Sequence, residues 1–333
     1  MEELITLDYG SGGKKTASLI EKLILPQLDN PALRQLGDGA VVPGGEELVF
    51  STDSFVVSPR FFPGGDIGKL AVCGTVNDIC MSGGEPRWLS LALILEEGLP
   101  VAELEQILSS VAKAAKEAGV CIVTGDTKVV EKGKGDGVYI NTAGIGVLRQ
   151  PGLSPRAIRP GDRVLVSGTV GDHGAAVMLA RNQNLVQGEL KSDCAPLHRL
   201  SAALRQLGSG LRVLRDPTRG GVATTLCEFV EGTALSILLE ETDIPVRPAV
   251  ASACDILGLD PLYCANEGKL LAVVAPERAE EALALLRGLP EGENAAVIGT
   301  VGEQWPGRVA VRTALGGTRI AAKLAGAQLP RIC

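Results

Sequence analysis

Apolar and polar positions divide this chain into two successive runs of elements. Residues 11–28 place Ala17, Ile20, Leu23 and Ile24 at helical spacing behind a glycine-rich turn. Apolar runs predict strands over 48–57, 88–95, 120–130 and 138–148, the first interrupted by Thr52-Asp53-Ser54. A helix is predicted over 67–81, stopped by Ser82-Gly83-Gly84-Glu85-Pro86. Another is predicted over 101–118, where Leu104, Ile107, Leu108, Val111 and Ala115 share a face and Gly119 supplies the cap. The stretch 150–161 holds Pro151, Pro155, Pro160 and two glycines, which suits a linker. Beyond it the pattern restarts. Strands are predicted at 163–167, 235–239, 270–275, 296–301 and 308–312, and helices at 174–182, 195–207, 221–231, 247–257 and 276–287.

This order implies an α+β fold (α/β layered): two domains, each a mixed sheet covered by helices. A length of 333 residues agrees with two cores rather than one. The expected divisions are 1–40, a glycine-rich segment and helix; 41–149, a first domain; 150–314, a second; and 315–333, a mobile tail carrying Cys333. From 315 onward the chain is small and basic, and 316–333 spans up to about 60 Å when extended.

Composition narrows the functional classes. Hydrophobic residues make up 45% and aromatics 3%, so the cores rest on Leu, Val, Ile and Ala. A net charge of −7 argues against a nucleic-acid partner. No apolar run reaches the ~18 residues of a membrane span. Met1-Glu2-Glu3-Leu4-Ile5 lacks the order of a secretory signal. Cys73, Cys80, Cys121, Cys194, Cys227, Cys254 and Cys264 are scattered, with no C-x-x-C pair and only His173 and His198 as histidines. That usage implies a reducing, cytoplasmic setting in which these cysteines pack as small apolar groups.

Candidate chemistry lies in short polar motifs. Asp38 (Gly-Asp-Gly), Asp53 (Thr-Asp-Ser), Asp78 after Asn77, and Asp126 (Gly-Asp-Thr) stand at element ends or in apolar surroundings. Together they suit Mg²⁺ and a nucleotide, because hard cations take carboxylate, water and phosphate oxygens; singly, each also suits a turn. Gly10, Ser11, Gly12, Gly13 and Lys14 offer flexible backbone amides and cationic charge for phosphates, although the segment is no Walker A sequence, and a frayed helix start accounts for them equally well. Asp216 and Arg219 in Arg215-Asp216-Pro217-Thr218-Arg219-Gly220-Gly221 are phosphate contacts or parts of a well-made helix start. In Asn266-Glu267-Gly268-Lys269 a turn explains all but Glu267. Gly171-Asp172-His173-Gly174 reads as a structural helix start. Cys333 is the last residue of the sequence, badly placed for core packing and well placed to be carried into another site.

The series Tyr-Gly-Ser-Gly-Gly, Gly-Asp-Gly-Ala, Thr-Asp-Ser-Phe, Val-Asn-Asp-Ile, Thr-Gly-Asp-Thr-Lys, Asp-Pro-Thr-Arg-Gly-Gly, Asn-Glu-Gly and Pro-Arg-Ile-Cys runs from Tyr9 to Cys333. It resembles the carbamoyl dehydratases that mature nickel–iron hydrogenases, the HypE family, within the aminoimidazole ribonucleotide synthetase-like ATP enzymes. The resemblance implies that a carbamoyltransferase loads Cys333 and that ATP dehydrates the carbamoyl group to a thiocyanate. Iron-carrying hydrogenase maturation proteins then receive the cyanide. It implies ATP and Mg²⁺ at Asp38, Asp53, Asp78 and Asp126, closure of 10–16 over the phosphates, Lys128 and Glu267 at the thiocarbamate, and a homodimer. Arg331 is expected to offset the charge of the terminal carboxylate beside the thiol. Two rival readings differ in prediction: a small-molecule kinase or synthetase of the same group does not need Cys333, and a nucleotide-sensing scaffold tolerates Cys333→Ser.

Overall fold

A computed structural model describes residues 13–19, 21, 40–44, 46–181, 190–324, 326, 329 and 331–333. Asp38 and Gly10, Ser11 and Gly12 lie outside them. Gly13 is buried and Lys14 exposed at the start of the helix Lys14–Leu19, the described part of the helix expected over 11–28.

The first sheet consists of β1 (Ala40–Gly44), β2 (Glu46–Phe55), β5 (Gly84–Glu96), β6 (Cys121–Val130) and β7 (Val138–Leu148). A short hairpin, β3 (Phe61–Phe62) and β4 (Gly65–Asp66), stands apart. The sheet order is β1-β2-β7-β5-β6, antiparallel except for the parallel pair β5–β6. The polar triplet does not interrupt β2: its ladder to β7 runs unbroken from Leu48↔Val147 to Phe55↔Ile140.

One face of this sheet packs on the helix Ile67–Met81. That helix is apolar on every side and is buried along nearly its whole length, as such a pattern demands. Asp66 starts it, its side chain accepting from Gly68 N–H at 2.7 Å and Lys69 N–H at 3.1 Å. The amphipathic helix Val101–Ala118 covers it from outside and ends on Gly119 at φ 69°. The opposite sheet face stays open, with Phe50, Trp88 and Ile94 exposed on it.

The second sheet contains β8 (Arg163–Val166), β9 (Leu211–Arg215), β10 (Ser236–Glu240), β11 (Leu271–Val274), β12 (Ala296–Gly302), β13 (Val309–Arg312) and β14 (Thr318–Ala321). Its order is β14-β13-β10-β12-β8-β11-β9, mixed because β10 and β13 run parallel. The helices Gly221–Val230 and Ala279–Arg287 contribute buried side chains to its cores.

Several elements differ from expectation, and β1, β3 and β4 lie outside every predicted strand. β9 fills an apolar run that the pattern leaves unassigned. The tail expected from 315 is shorter, because Thr318–Ala321 pairs with β13 through Val309↔Ala321 to Arg312↔Thr318. Gly316, at φ 84°, makes the reversal, and Thr313 N–H closes it on the Gly317 carbonyl at 2.8 Å. The first of the residues that read as small and basic, 316–321, are therefore a turn and an edge strand.

The two layered units meet across Asn77. Its Oδ1 accepts from Leu197 N–H at 2.8 Å, and its Nδ2 donates to the carbonyls of Ala195 at 3.2 Å and Glu267 at 3.4 Å. Ser201 Oγ donates to the Cys80 carbonyl at 3.1 Å, and Arg205 to that of Gly84 at 3.0 Å.

Candidate active site

A cavity of about 260 Å³ opens where the two units meet. Strand β2 contributes Thr52 and Asp53, and the helix Ile67–Met81 contributes Gly74 and Asp78. Asp78 follows the clamp residue Asn77 directly and accepts from Ser51 Oγ at 2.7 Å. The second unit contributes Arg215, Asp216, Thr218, Arg219, Thr225, Glu228 and Glu267. Cys333 completes the lining.

Local chemistry explains how the second unit presents these groups. Asn266 is fully buried; its Nδ2 donates to the carbonyls of Pro217 and Cys264, both at 3.1 Å. Its Oδ1 accepts from Gly171 N–H at 2.7 Å. One side chain therefore ties the Asp216–Arg219 loop to the Glu267 loop. Gly268 is needed by close approach: a Cβ there would lie 1.8 Å from the Asp193 carbonyl oxygen. The Asp193 carboxylate accepts from the amides of Glu267 at 3.1 Å and Gly268 at 3.3 Å. Glu267 is thus fixed from both sides.

Glu267 is 2% exposed, and its Oε1 is buried without a hydrogen-bond partner among the described residues. Burial first, then Cys194, Asp216, Asp193 and Asp53, hold its pKa well above the usual carboxylate range. Burial also raises Asp53, opposed by the Arg219 charge. Arg219 is raised, by Cys333 foremost and then by Asp53, Glu267 and Asp78, against the effect of burial. Arg219 retains solvent access through the open cavity, so these charge effects are partly screened.

The tail enters this cavity in its own subunit. The Arg331 carbonyl accepts from Ser58 N–H at 3.2 Å and from Arg181. His173 Nε2 meets the Ile332 carbonyl at 2.8 Å, and the Ile332 side chain is buried in the core. Cys333 follows, half-buried, with its thiol pushed up by burial and by Glu267, against Arg219. The described tail is therefore docked rather than free. Arg331 pairs with Asp136 at 2.9 Å, so the cation beside the thiol is Arg219, not Arg331 as the sequence suggested. His173 and Arg181, which the sequence did not single out for function, hold the tail.

The structure brings together Asp53, Asp78, Asp216, Arg219, Glu267 and Cys333. Among the described residues, the candidates Asn77, Asp126 and Lys128 do not line this cavity. Asn77 spends its amide on the clamp. Asp126 and Lys128 are exposed on β6; paired with Ala92 and Ile94, they face the open side of the sheet. Among the described residues no three His, Cys, Asp or Glu side chains form a metal cage. Among the described residues, Asp53 and Asp78 are the expected metal carboxylates that share the cavity.

Comparison with known proteins places this arrangement. The model of the AIR synthase related protein N-terminal domain matches residues 36–148, and that of the C-terminal domain matches residues 159–312. The carbamoyl dehydratase HypE of Cupriavidus necator is 51% identical over 332 residues, covering 99% of this chain and 95% of that relative. The chain belongs to the HypE family. A solved HypE–HypF complex contains a chain 48% identical, with a TM-score of 0.87 over 92% of this chain and 100% of that one. A solved HypE hydrogenase maturation protein in complex with ATP is 50% identical, with a TM-score of 0.83 over 99% of this chain and 100% of that one. The fold is accordingly the α+β, AIR synthase-like one. No described helix is long and apolar enough to cross a membrane.

Proposed function

We propose that this chain is an ATP-dependent S-carbamoyl dehydratase that works on its own Cys333. The observation that carries this reading is the thiol itself: the tail is docked so that Cys333 lines a cavity with Glu267, Arg219, Asp53 and Asp78. The HypE relatives are named carbamoyl dehydratases, and one was solved with ATP.

The reaction begins with a thiocarbamate, Cys333 S–C(=O)–NH₂. The carbonyl oxygen attacks the γ-phosphorus of ATP as an N–H proton leaves, giving the imidic phosphate S–C(=NH)–OPO₃ and ADP. Loss of the second N–H proton and of the C–O bond releases inorganic phosphate and leaves S–C≡N. The proton acceptor must sit within hydrogen-bond reach of the nitrogen. Glu267 suits that role, because its Oε1 has no partner among the described residues and burial makes its ionised form a stronger base than an exposed carboxylate. Arg219 stabilises charge on the departing phosphate. Hydrolysis of the activated carbon would waste ATP, so the reaction requires water to be kept from it.

Asp53 and Asp78 fit magnesium, with phosphate and water oxygens completing its shell. When bound, the ion neutralises phosphate charge. Asp38, Asp126, Asp216 and the Gly10, Ser11, Gly12, Gly13 and Lys14 segment are assigned to the nucleotide by motif. Lys128 joins the site from the open sheet face, which requires a homodimer pairing these faces. A carbamoyltransferase loads the thiol, and iron-carrying maturation proteins take the cyanide, in the cytoplasm.

The test is mass spectrometry of the carbamoylated protein with ATP and magnesium. The expected result is loss of one water mass from the peptide ending in Cys333. An unchanged mass with ATP consumed would overturn the reading. Retained turnover of a free substrate after deletion of Cys333 would favour a kinase instead.

A further inference from the structure

We propose that His173 sets the depth of Cys333 in the cavity by donating its Nε2–H to the Ile332 carbonyl. It acts as a positioning residue for the dehydration proposed above, on which this inference rests.

The hydrogen bonds around the ring fix the proton's place. The Ile332 carbonyl can only accept, so Nε2 carries a hydrogen. On the other side Ser192 Oγ accepts from Cys194 N–H at 3.0 Å, which leaves its own hydrogen for His173 Nδ1 at 2.8 Å. The chain Cys194 N–H, Ser192 O–H, His173, Ile332 carbonyl is then complete with a neutral ring. The ring is fully buried, and Phe62 packs against it edge-to-face at 5.4 Å and 87°. A side chain held on both nitrogens and one face has little freedom to follow a misplaced tail.

The neighbours share in the seat. Gly174 leaves room for the tail: a Cβ there would lie 3.0 Å from Leu329 Cδ1. Ser58 N–H and Arg181 hold the adjacent Arg331 carbonyl. Two consecutive main-chain carbonyls are thus gripped from two parts of the fold, Ser58 and the helix Asp172–Arg181, whose two ends supply His173 and Arg181. The Ile332 carbonyl carbon is bonded to the Cys333 nitrogen, so the His173 bond acts one peptide unit from the reacting sulfur. Because the seat holds main chain and not the thiol, it serves the free, carbamoylated and cyanated forms alike. Its grip is a few hydrogen bonds and the buried Ile332 side chain, few enough contacts to let the tail leave for loading and return.

The test compares the full-length parent with His173→Ala, His173→Gln and Ser192→Ala. One readout is the rate at which iodoacetamide alkylates Cys333, read from the mass of the last peptide. The other is single-turnover water loss from the carbamoylated protein at saturating ATP, with ATP affinity measured alongside. Loss of one buried donor predicts about tenfold faster alkylation and about tenfold slower dehydration in His173→Ala, with ATP affinity unchanged. Gln, whose amide donates to the same carbonyl, should return both rates to within about threefold of the parent. Ser192→Ala should fall between them. Parent-like rates in His173→Ala overturn the proposal. So does a His173→Gln protein as impaired as His173→Ala, which would make the role one of packing alone. If the parent itself never loses water, the proposed reaction fails, while the alkylation comparison still decides the role of His173.

Discussion

Glu267 is a residue whose placement costs stability. Its carboxyl is buried with one oxygen unpaired among the described residues, and its pKa is raised in the folded chain from about 4.3 in the unfolded one. Between those values the folded state binds more protons than the unfolded state. The stabilising effect of the protonated carboxyl is therefore complete below about pH 4.3 and is lost as pH rises through the folded value. Glu267→Gln removes the ionisable group at nearly constant shape. At neutral pH this variant should melt a few degrees higher than the parent, and the gain should vanish toward pH 4. Its dehydration rate should fall by at least about a hundredfold, the usual loss on removing a general base. Thermal melts across pH 4–8 with single-turnover mass spectrometry check both halves. A variant that is less stable at every pH would show that the carboxyl is held by bonds rather than strained.

At the scale of elements, Asn77 decides between two assignments. If it joins the two layered units, as its three bonds to Leu197, Ala195 and Glu267 indicate, Asn77→Ala leaves several buried backbone groups unpaired. The cost should be about 2–4 kcal/mol, seen as a lower urea midpoint, with ATP affinity of the folded protein little changed. A nucleotide ligand would give the reverse, weaker ATP binding at parental stability. The motif around Asn77 was legible in the sequence, but its partners were not, because they are backbone groups 118 and 190 residues away. The same holds for His173, whose partner lies 159 residues on. Periodicity did reveal the helices Ile67–Met81 and Val101–Ala118, since each buries a pattern that a sliding window detects. It missed β14, four residues at a sheet edge whose glycine turn and basic side chain look like tail. The cluster of Asp53, Asp78, Asp216, Arg219, Glu267 and Cys333 was readable as separate motifs; only the meeting of the two units makes it a site.

For the whole molecule the open face of the first sheet matters most. Phe50, Trp88 and Ile94 are 42–46% exposed there, and Asp126 and Lys128 share the face, away from the cavity of their own chain. Large apolar groups gathered on one face signal an association surface. The proposed homodimer would bury them and bring each Lys128 toward the neighbouring subunit's cavity. A charge on that face should then separate the subunits. Ile94→Glu should sediment at 34.5 kDa instead of at twice that mass and lose dehydration by more than about tenfold. Its Cys333 should still alkylate at the parental rate, because every group of the tail seat belongs to one chain. Sharper still is complementation. Lys128→Ala and Glu267→Gln should each be inactive alone. Mixed and allowed to exchange subunits at equal amounts, half of the dimers carry one of each, and each of these holds one intact site. Activity should then return to about one quarter of the parental rate, as a two-fold symmetric dimer with shared sites requires. If Lys128 serves the cavity of its own chain, mixing restores nothing, since no subunit then contains both residues.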